Sequence, residues 1–137
     1  MNTKNIGDRS EAQVLAAFLR AGKVVLQPFG DNCRYDLVVD ENGIFERVQV
    51  KTGRVQDGLL RADICSSYAH RGRGKKDYRG DADLFAIYCP QLDKIYIVPV
   101  ADAGRATIHL RINPAKNGQK SNIRFAKDYE FNSRVAQ

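Results

Sequence analysis

The 137-residue sequence contains no run of about eighteen apolar residues, so it offers no helix able to cross a membrane. Its polar start, Met1-Asn2-Thr3-Lys4, does not read as a secretory leader, and the working compartment is expected to be cytoplasmic. Cysteine is scarce. Cys33, Cys65 and Cys89 are an odd number without C-x-x-C spacing, which argues against a zinc site or a disulfide framework. All three are expected reduced, and the two with apolar neighbours should be small core residues. With only four prolines, no internal repeat and no low-complexity stretch, nothing divides the chain into domains. What is present suffices for one soluble globular domain: 43% hydrophobic and 28% charged residues. A chain of this length hides about two thirds of the surface its unfolded form exposes, enough for a core without staples.

Acidic charge is the minority, sixteen Asp and Glu against twenty-two Lys and Arg, for a net +6. The imbalance is local. Residues 1–52 carry seven basic and seven acidic side chains, so the entire excess falls in residues 53–137, which suggests a polyanionic partner.

Apolar residues Ile6, Val14, Leu15, Phe18 and Leu19 recur at helical spacing, predicting a helix from about Lys4 to Ala21 that stops at Gly22. A short strand, Val24-Val25-Leu26, follows. Residues 35–40 and 44–51 are two β-prone runs around Asn42-Gly43, a strong hairpin signal because both central residues of a type I′ turn need positive φ. A two-residue loop there makes every cross-strand pair of residue numbers sum to 85. Asp36 is then expected opposite Gln49, with Gln49 and Lys51 on one strand face and Lys51 diagonal to Asp36. Residues 53–82, rich in glycine and basic side chains, are expected to form a loop-dominated excursion with strand character only at Leu59-Leu60 and from Ala62 to Cys65. Residues 84–89 and 95–98 predict a second hairpin with its turn at 90–93. Beyond them come a short strand near 108–110, a flexible Asn113–Asn122 stretch and a helical turn near Arg124–Tyr129.

Phosphodiester hydrolysis needs oxygen ligands for a divalent cation and a basic group beside the attacked phosphate. Asp36 and Gln49 supply side-chain oxygens, Val50 a backbone carbonyl, and Lys51 the basic group. Glu11, on the core-facing stripe of the first helix, is a fourth member, with Gly7 one turn earlier expected to let the cluster come close. Taken singly, each has an ordinary structural reading: the solvated side of a strand, a turn aspartate, the flank of a helix stripe. Their conjunction in one register, in a basic chain, favours chemistry.

In this order, the helix glutamate, the strand aspartate and the Gln49-Val50-Lys51 triplet resemble the PD-(D/E)XK nuclease superfamily. They are most similar to its small endonucleases encoded in group I introns, where glutamine is tolerated at the first triplet position. The resemblance extends over most of the chain. It takes in Gly7-x-x-x-Glu11, Asp36-Leu37, Val48 to Thr52, Tyr78, Asp83-x-Phe85-Ala86-x-Tyr88, Tyr96-x-Val98-Pro99, Leu110-Arg111 and Asn117-Gly118-Gln119. It implies an α/β fold with a restriction-endonuclease-like core, a mixed β-sheet flanked by helices, carrying a basic loop insertion. The core would span about 4–52 and 83–112, the insertion 53–82, and a basic C-terminal segment 113–137. It further implies Mg²⁺-dependent cleavage of double-stranded DNA, with Mn²⁺ as a substitute ion, by a homodimer or homotetramer. Glu11, Asp36, Gln49 and Lys51 would be the catalytic set, and Asp36, Gln49, Val50 and Glu11 the metal ligands. Gln49 departs from the superfamily's carboxylate and removes a negative charge from the metal site.

The DNA-gripping surface is expected at Arg71, Arg73, Lys75, Lys76 and Arg79, where glycines let the backbone follow a groove. A second set, Arg111, Lys116, Lys120 and Arg124, with Lys127, is expected to contact phosphates, while Ser66 and Ser67 are read as structural. No membrane and no small-molecule cofactor are expected. A site-specific homing endonuclease is the leading reading. A Holliday-junction resolvase is the alternative within the same chemistry, and a non-catalytic DNA-binding module the alternative outside it.

Overall fold

In the computed structural model, residues 2–30, 32–64, 78, 80–113 and 123–132 are described in full, and 66–67 and 75–76 by their backbone alone. Helix α1 spans Thr3–Arg20, started by the Asn2 side chain, which accepts a hydrogen bond from the Asn5 N–H at 2.9 Å. It ends as the sequence predicts. Gly22 takes φ +79°, and the Gly22 and Lys23 amides donate back to the Leu19 and Phe18 carbonyls.

The main sheet has five strands. β1 (Val24–Leu26), β2 (Leu37–Glu41) and β3 (Ile44–Thr52) run antiparallel in sequence; β8 (Leu84–Cys89) and β9 (Lys94–Pro99) complete the order β1-β2-β3-β8-β9. Asn42 and Gly43 take φ 55° and 84°, and the β2–β3 partners run from Glu41–Ile44 to Leu37–Val48, the register expected of a two-residue loop. β3 pairs parallel to β8, which makes the sheet mixed.

Alternation along these strands divides the interior in two. Val48 and Val50 face α1 and pack with Val14, Ala17, Phe18, Leu37, Val39, Ala86 and Ile95. On the other face Phe85, Ile87, Tyr96 and Val98 pack against a second, three-stranded sheet. That sheet, in order β10-β5-β4, is built from β4 (Arg54–Gln56), β5 (Leu59–Asp63) and β10 (Thr107–Arg111). Leu60, Ala62, Ile108 and Leu110 are its buried residues.

This second sheet corrects the expectation of a loop-dominated stretch after residue 52. Asp57-Gly58, at φ 54° and 74°, closes a β4–β5 hairpin by the same turn chemistry as Asn42-Gly43. The segment therefore adds to the core as well as to the surface. Among the described residues α1 is the one α-helix, so a sheet rather than a helix covers the second face. Two further short strands, β6 (Ser66–Ser67) and β7 (Lys75–Lys76), pair antiparallel. Single 3-10 turns occupy Val100–Asp102 and Ala126–Asp128, the latter where a C-terminal helical turn is expected.

Gly53 is the point where the chain leaves the main sheet for the smaller one. Its N–H donates to the Tyr88 carbonyl at 2.8 Å, and a Cβ there would lie 2.8 Å from both Ile87 Cγ2 and Leu60 Cδ1. At the opposite end of the parallel pair, the Asp83 carboxylate accepts the Arg47 backbone N–H at 2.7 Å and the Arg47 Nε and Nη2 at 3.1 and 3.0 Å. Cys89 is buried, as expected; Cys33 is exposed, and Cys65 lies outside the described residues.

Candidate active site

Asp36 enters β2 from the loop after β1. The expected backbone pair with Gln49 does not form, because the ladder ends one step earlier at Leu37–Val48. The Asp36 N–H donates to the Val48 carbonyl at 2.8 Å, while the Asp36 carboxylate accepts the Val50 N–H at 2.8 Å. The side chain thus replaces a backbone acceptor, and the carboxylate is fixed against the middle of the Gln49-Val50-Lys51 triplet.

Glu11 projects from the second turn-and-a-half of α1, between buried Ser10 and the Val14 stripe. The Ser10 and Thr52 hydroxyls hydrogen-bond at 2.5 Å, tying α1 to the end of β3 immediately beside Glu11 and Lys51. Glu11 and Asp36 line one cleft of about 280 Å³ with Gln27, Pro28, Gly30, Cys33 and Tyr35. Burial pushes the Glu11 carboxyl above its ordinary pKa, and the Asp36 and Asp8 charges push it further; distant Lys4 acts the other way. Asp36 is also raised, again chiefly by burial, partly offset by the Val50 N–H and the Lys51 charge. A Cβ on Gly7 would meet nothing within 4 Å, so no described backbone approaches that glycine.

Gln49 and Lys51 share the β3 face opposite α1 and do not line the Glu11–Asp36 cleft. The Gln49 side-chain amide nitrogen donates to the Val50 carbonyl at 3.4 Å. Lys51 Nζ donates to the Tyr78 hydroxyl at 3.3 Å and lies 4.7 Å from the centre of that ring. The Arg34 guanidinium sits 3.9 Å from the same ring centre and pairs with Asp81 at 3.2 Å. Tyr78 is buried and meets Phe85 edge-on at 5.6 Å. Neither the role of Tyr78 beside Lys51 nor the presence of Arg34 is foreseen by sequence reasoning. The signals at Tyr78 were its place in the family resemblance and its position at the end of a basic stretch.

Among the described residues no three His, Cys, Asp or Glu side chains converge on a metal position. Glu11 and Asp36 line one cleft, each disfavoured as an anion by its surroundings, and a cation bound beside them would offset that penalty. The remaining oxygens are the Gln49 amide, once turned to present its oxygen, and the Val50 carbonyl. An all-oxygen donor set of this kind fits a hard divalent ion.

Of the expected DNA contacts, Arg71, Arg73, Arg79, Lys116 and Lys120 lie outside the described residues, as do the side chains of Lys75 and Lys76. Arg111 ends β10 half-buried. Arg124 is engaged within the chain, donating to the Tyr129 hydroxyl at 2.6 Å and lying 3.7 Å from Asp102. Lys127 stands over the Phe125 ring at 5.9 Å.

The sequence profile of the PD-(D/E)XK endonucleases matches residues 1–132. Among solved structures the chain is similar to the bacterial homing endonuclease I-Ssp6803I, with 29% identity and a TM-score of 0.67 over 94% of this chain and 86% of that one. No curated protein matches the chain. Helix glutamate, strand aspartate and Gln-Val-Lys triplet stand on one helix and one hairpin of a mixed sheet, and the profile spans nearly the whole chain: the protein belongs to the PD-(D/E)XK endonuclease family, as a metal-dependent endonuclease.

Proposed function

We propose that the protein is a Mg²⁺-dependent endonuclease of the site-specific homing type, hydrolysing phosphodiester bonds of double-stranded DNA with Glu11, Asp36, Gln49 and Lys51 as its catalytic set. The observation that carries this reading is the Glu11–Asp36 cleft. Two carboxylates are held together at the cost of a raised pKa for each, beside the triplet that ends in Lys51. The likeness to a homing endonuclease over most of both chains supports the narrower assignment.

In this reading Asp36 and Glu11, with the Gln49 amide oxygen and the Val50 carbonyl, hold the ion. The ion, when bound, supplies Lewis-acid stabilisation of the phosphate and lowers the pKa of a water. Asp36 is kept in place by the Val50 N–H, so its free oxygen is oriented before any substrate arrives. Lys51 places a positive charge beside the scissile phosphate and orients the attacking water. The Tyr78 hydroxyl and ring restrain its long side chain. Gln49 contributes an oxygen without a charge, which makes the site less anionic than three carboxylates would.

The test offers long duplex DNA and a synthetic four-way junction to the wild type, Asp36→Ala and Lys51→Ala, with Mg²⁺ or a chelator. Discrete duplex cuts that need the metal are expected, and each variant should lose at least about a thousandfold in cleavage rate while still binding DNA. Symmetric nicking of the junction alone would make the protein a resolvase. Variants that lose binding and folding together would mark these residues as structural.

A further inference from the structure

The outer face of the three-stranded sheet carries an arrangement that its own stability does not explain. Arg54 on β4 stands directly opposite Arg61 on β5, and Arg61 stands opposite His109 on β10, so three basic residues form one row across the sheet. Like charges directly opposite on neighbouring strands are destabilising. Among the described residues the Arg61 Nε is moreover buried without a hydrogen-bond partner, which carries a desolvation cost of its own. Neither Arg54 nor Arg61 has an ion-pair partner among the described residues.

At its β4 end the row reaches a cleft shared with α1. Arg54 lines a cleft of about 680 Å³ with Arg9, Ser10, Thr52, Gly53 and Tyr88, among others, at the end of the parallel β3–β8 pair. Ser10 and Thr52, hydrogen-bonded to one another, are the chain neighbours of Glu11 and Lys51. Arg9 is exposed and, like the other two arginines, is unpaired among the described residues.

We propose that Arg9, Arg54 and Arg61 form a phosphate-binding track that carries the backbone of duplex DNA across the three-stranded sheet to the Glu11–Asp36 cleft. The inference rests on the nuclease reading and adds to it the surface by which the substrate is held. The ligand is a row of phosphodiesters. Charge complementarity selects it: repeated negative charges offset the repulsion within the row, and guanidinium forks match phosphate oxygens. Contacts of this kind hold and orient DNA without reading its sequence.

The experiment measures binding of a fluorescent, arbitrary-sequence duplex to the metal-free protein across a salt series, for the wild type, Arg9→Ala, Arg54→Ala and Arg61→Ala. Arg20→Ala, the same charge change on exposed α1 surface, is the control. Each track variant is expected to lower the slope of log affinity against log salt by about one and to weaken binding to different sequences alike. Arg20→Ala should keep the wild-type slope. Arg54→Ala and Arg61→Ala should melt no lower than the wild type, since each relieves repulsion, and Arg61→Lys should restore most of the lost affinity. Track variants with the wild-type slope would overturn the track and, where the wild type cuts DNA with Mg²⁺, leave the nuclease reading standing. A lower melting temperature with unchanged affinity would mark Arg54 and Arg61 as structural and overturn it as well. A wild type that neither binds nor cuts duplex would remove both readings.

Discussion

At the scale of single residues, the candidate site depends on side chains held by neighbours that are not themselves ligands. Lys51 is the clearest case: a flexible side chain loses its purpose if its ammonium wanders, and Tyr78 restrains it both through its hydroxyl and through its ring. Tyr78→Phe removes the first contact and keeps the second, along with the edge-on packing on Phe85. Turnover is expected to fall by about tenfold or less, with DNA affinity and melting temperature unchanged, in single-turnover kinetics at saturating protein. An equal loss in DNA affinity would show that Tyr78 acts on binding instead. Three of the four candidate residues, Asp36, Gln49 and Lys51, could be related in the sequence because Asn42-Gly43 sets a register that can be counted, whereas Glu11 came from the apolar stripe of α1. What pattern could not supply was the turn of the Asp36 carboxylate onto the Val50 N–H, which ends the ladder one pair early.

At the scale of elements, the parallel β3–β8 seam is fastened at both ends by residues of very different kinds. Asp83, held by Arg47, has its pKa lowered, first by the guanidinium hydrogen bond and against a smaller desolvation effect. A carboxylate with a depressed folded-state pKa contributes stability that is present above its unfolded value and is lost as pH falls through the folded one. Asp83→Asn should therefore melt lower than the wild type near neutrality. The gap should close as the pH drops below the ordinary aspartate range, which melting curves from pH 7 to pH 2 would show. A gap independent of pH would mean that the fit of the side-chain oxygens to the Arg47 N–H groups, not the charge, is what matters. At the other end, Gly53→Ala pushes a methyl group into Ile87 and Leu60, both fully buried, and should cost about 1–3 kcal/mol by chemical denaturation. Neither fastening was legible beforehand, since both exist only once distant strands pair. The Asp57-Gly58 hairpin was legible by the same rule as Asn42-Gly43. Its glycine-rich, basic surroundings obscured it, while the buried alternation of Leu60 and Ala62 is what holds it in the core.

At the scale of the whole molecule, the chain carries one Glu11–Asp36 cleft, and a duplex has two strands to cut. Double-strand cleavage by one such site per chain calls for two chains, so the active species is expected to be a homodimer or homotetramer. Sedimentation of the free protein and of its DNA complex measures this directly; a monomer in both that still makes double-strand breaks would refute it. Composition foretold the charge asymmetry but not its placement. Arg54 and Arg61 are set side by side only by the pairing of β4 with β5.

The parallel seam also has a consequence for how the molecule comes to be folded. The β2–β3 and β8–β9 hairpins are each closed by a short turn and need little chain entropy to form, whereas Val48 meets Leu84 only after the intervening residues have looped out and returned. Asp36, next to β2, and the Gln49-Val50-Lys51 triplet on β3 belong to the β2–β3 hairpin, so most of the proposed catalytic set sits on a locally closed unit. The topologically distant closure falls on the β3–β8 seam, where Arg47 meets Asp83, and not on the hairpin that carries the candidate site.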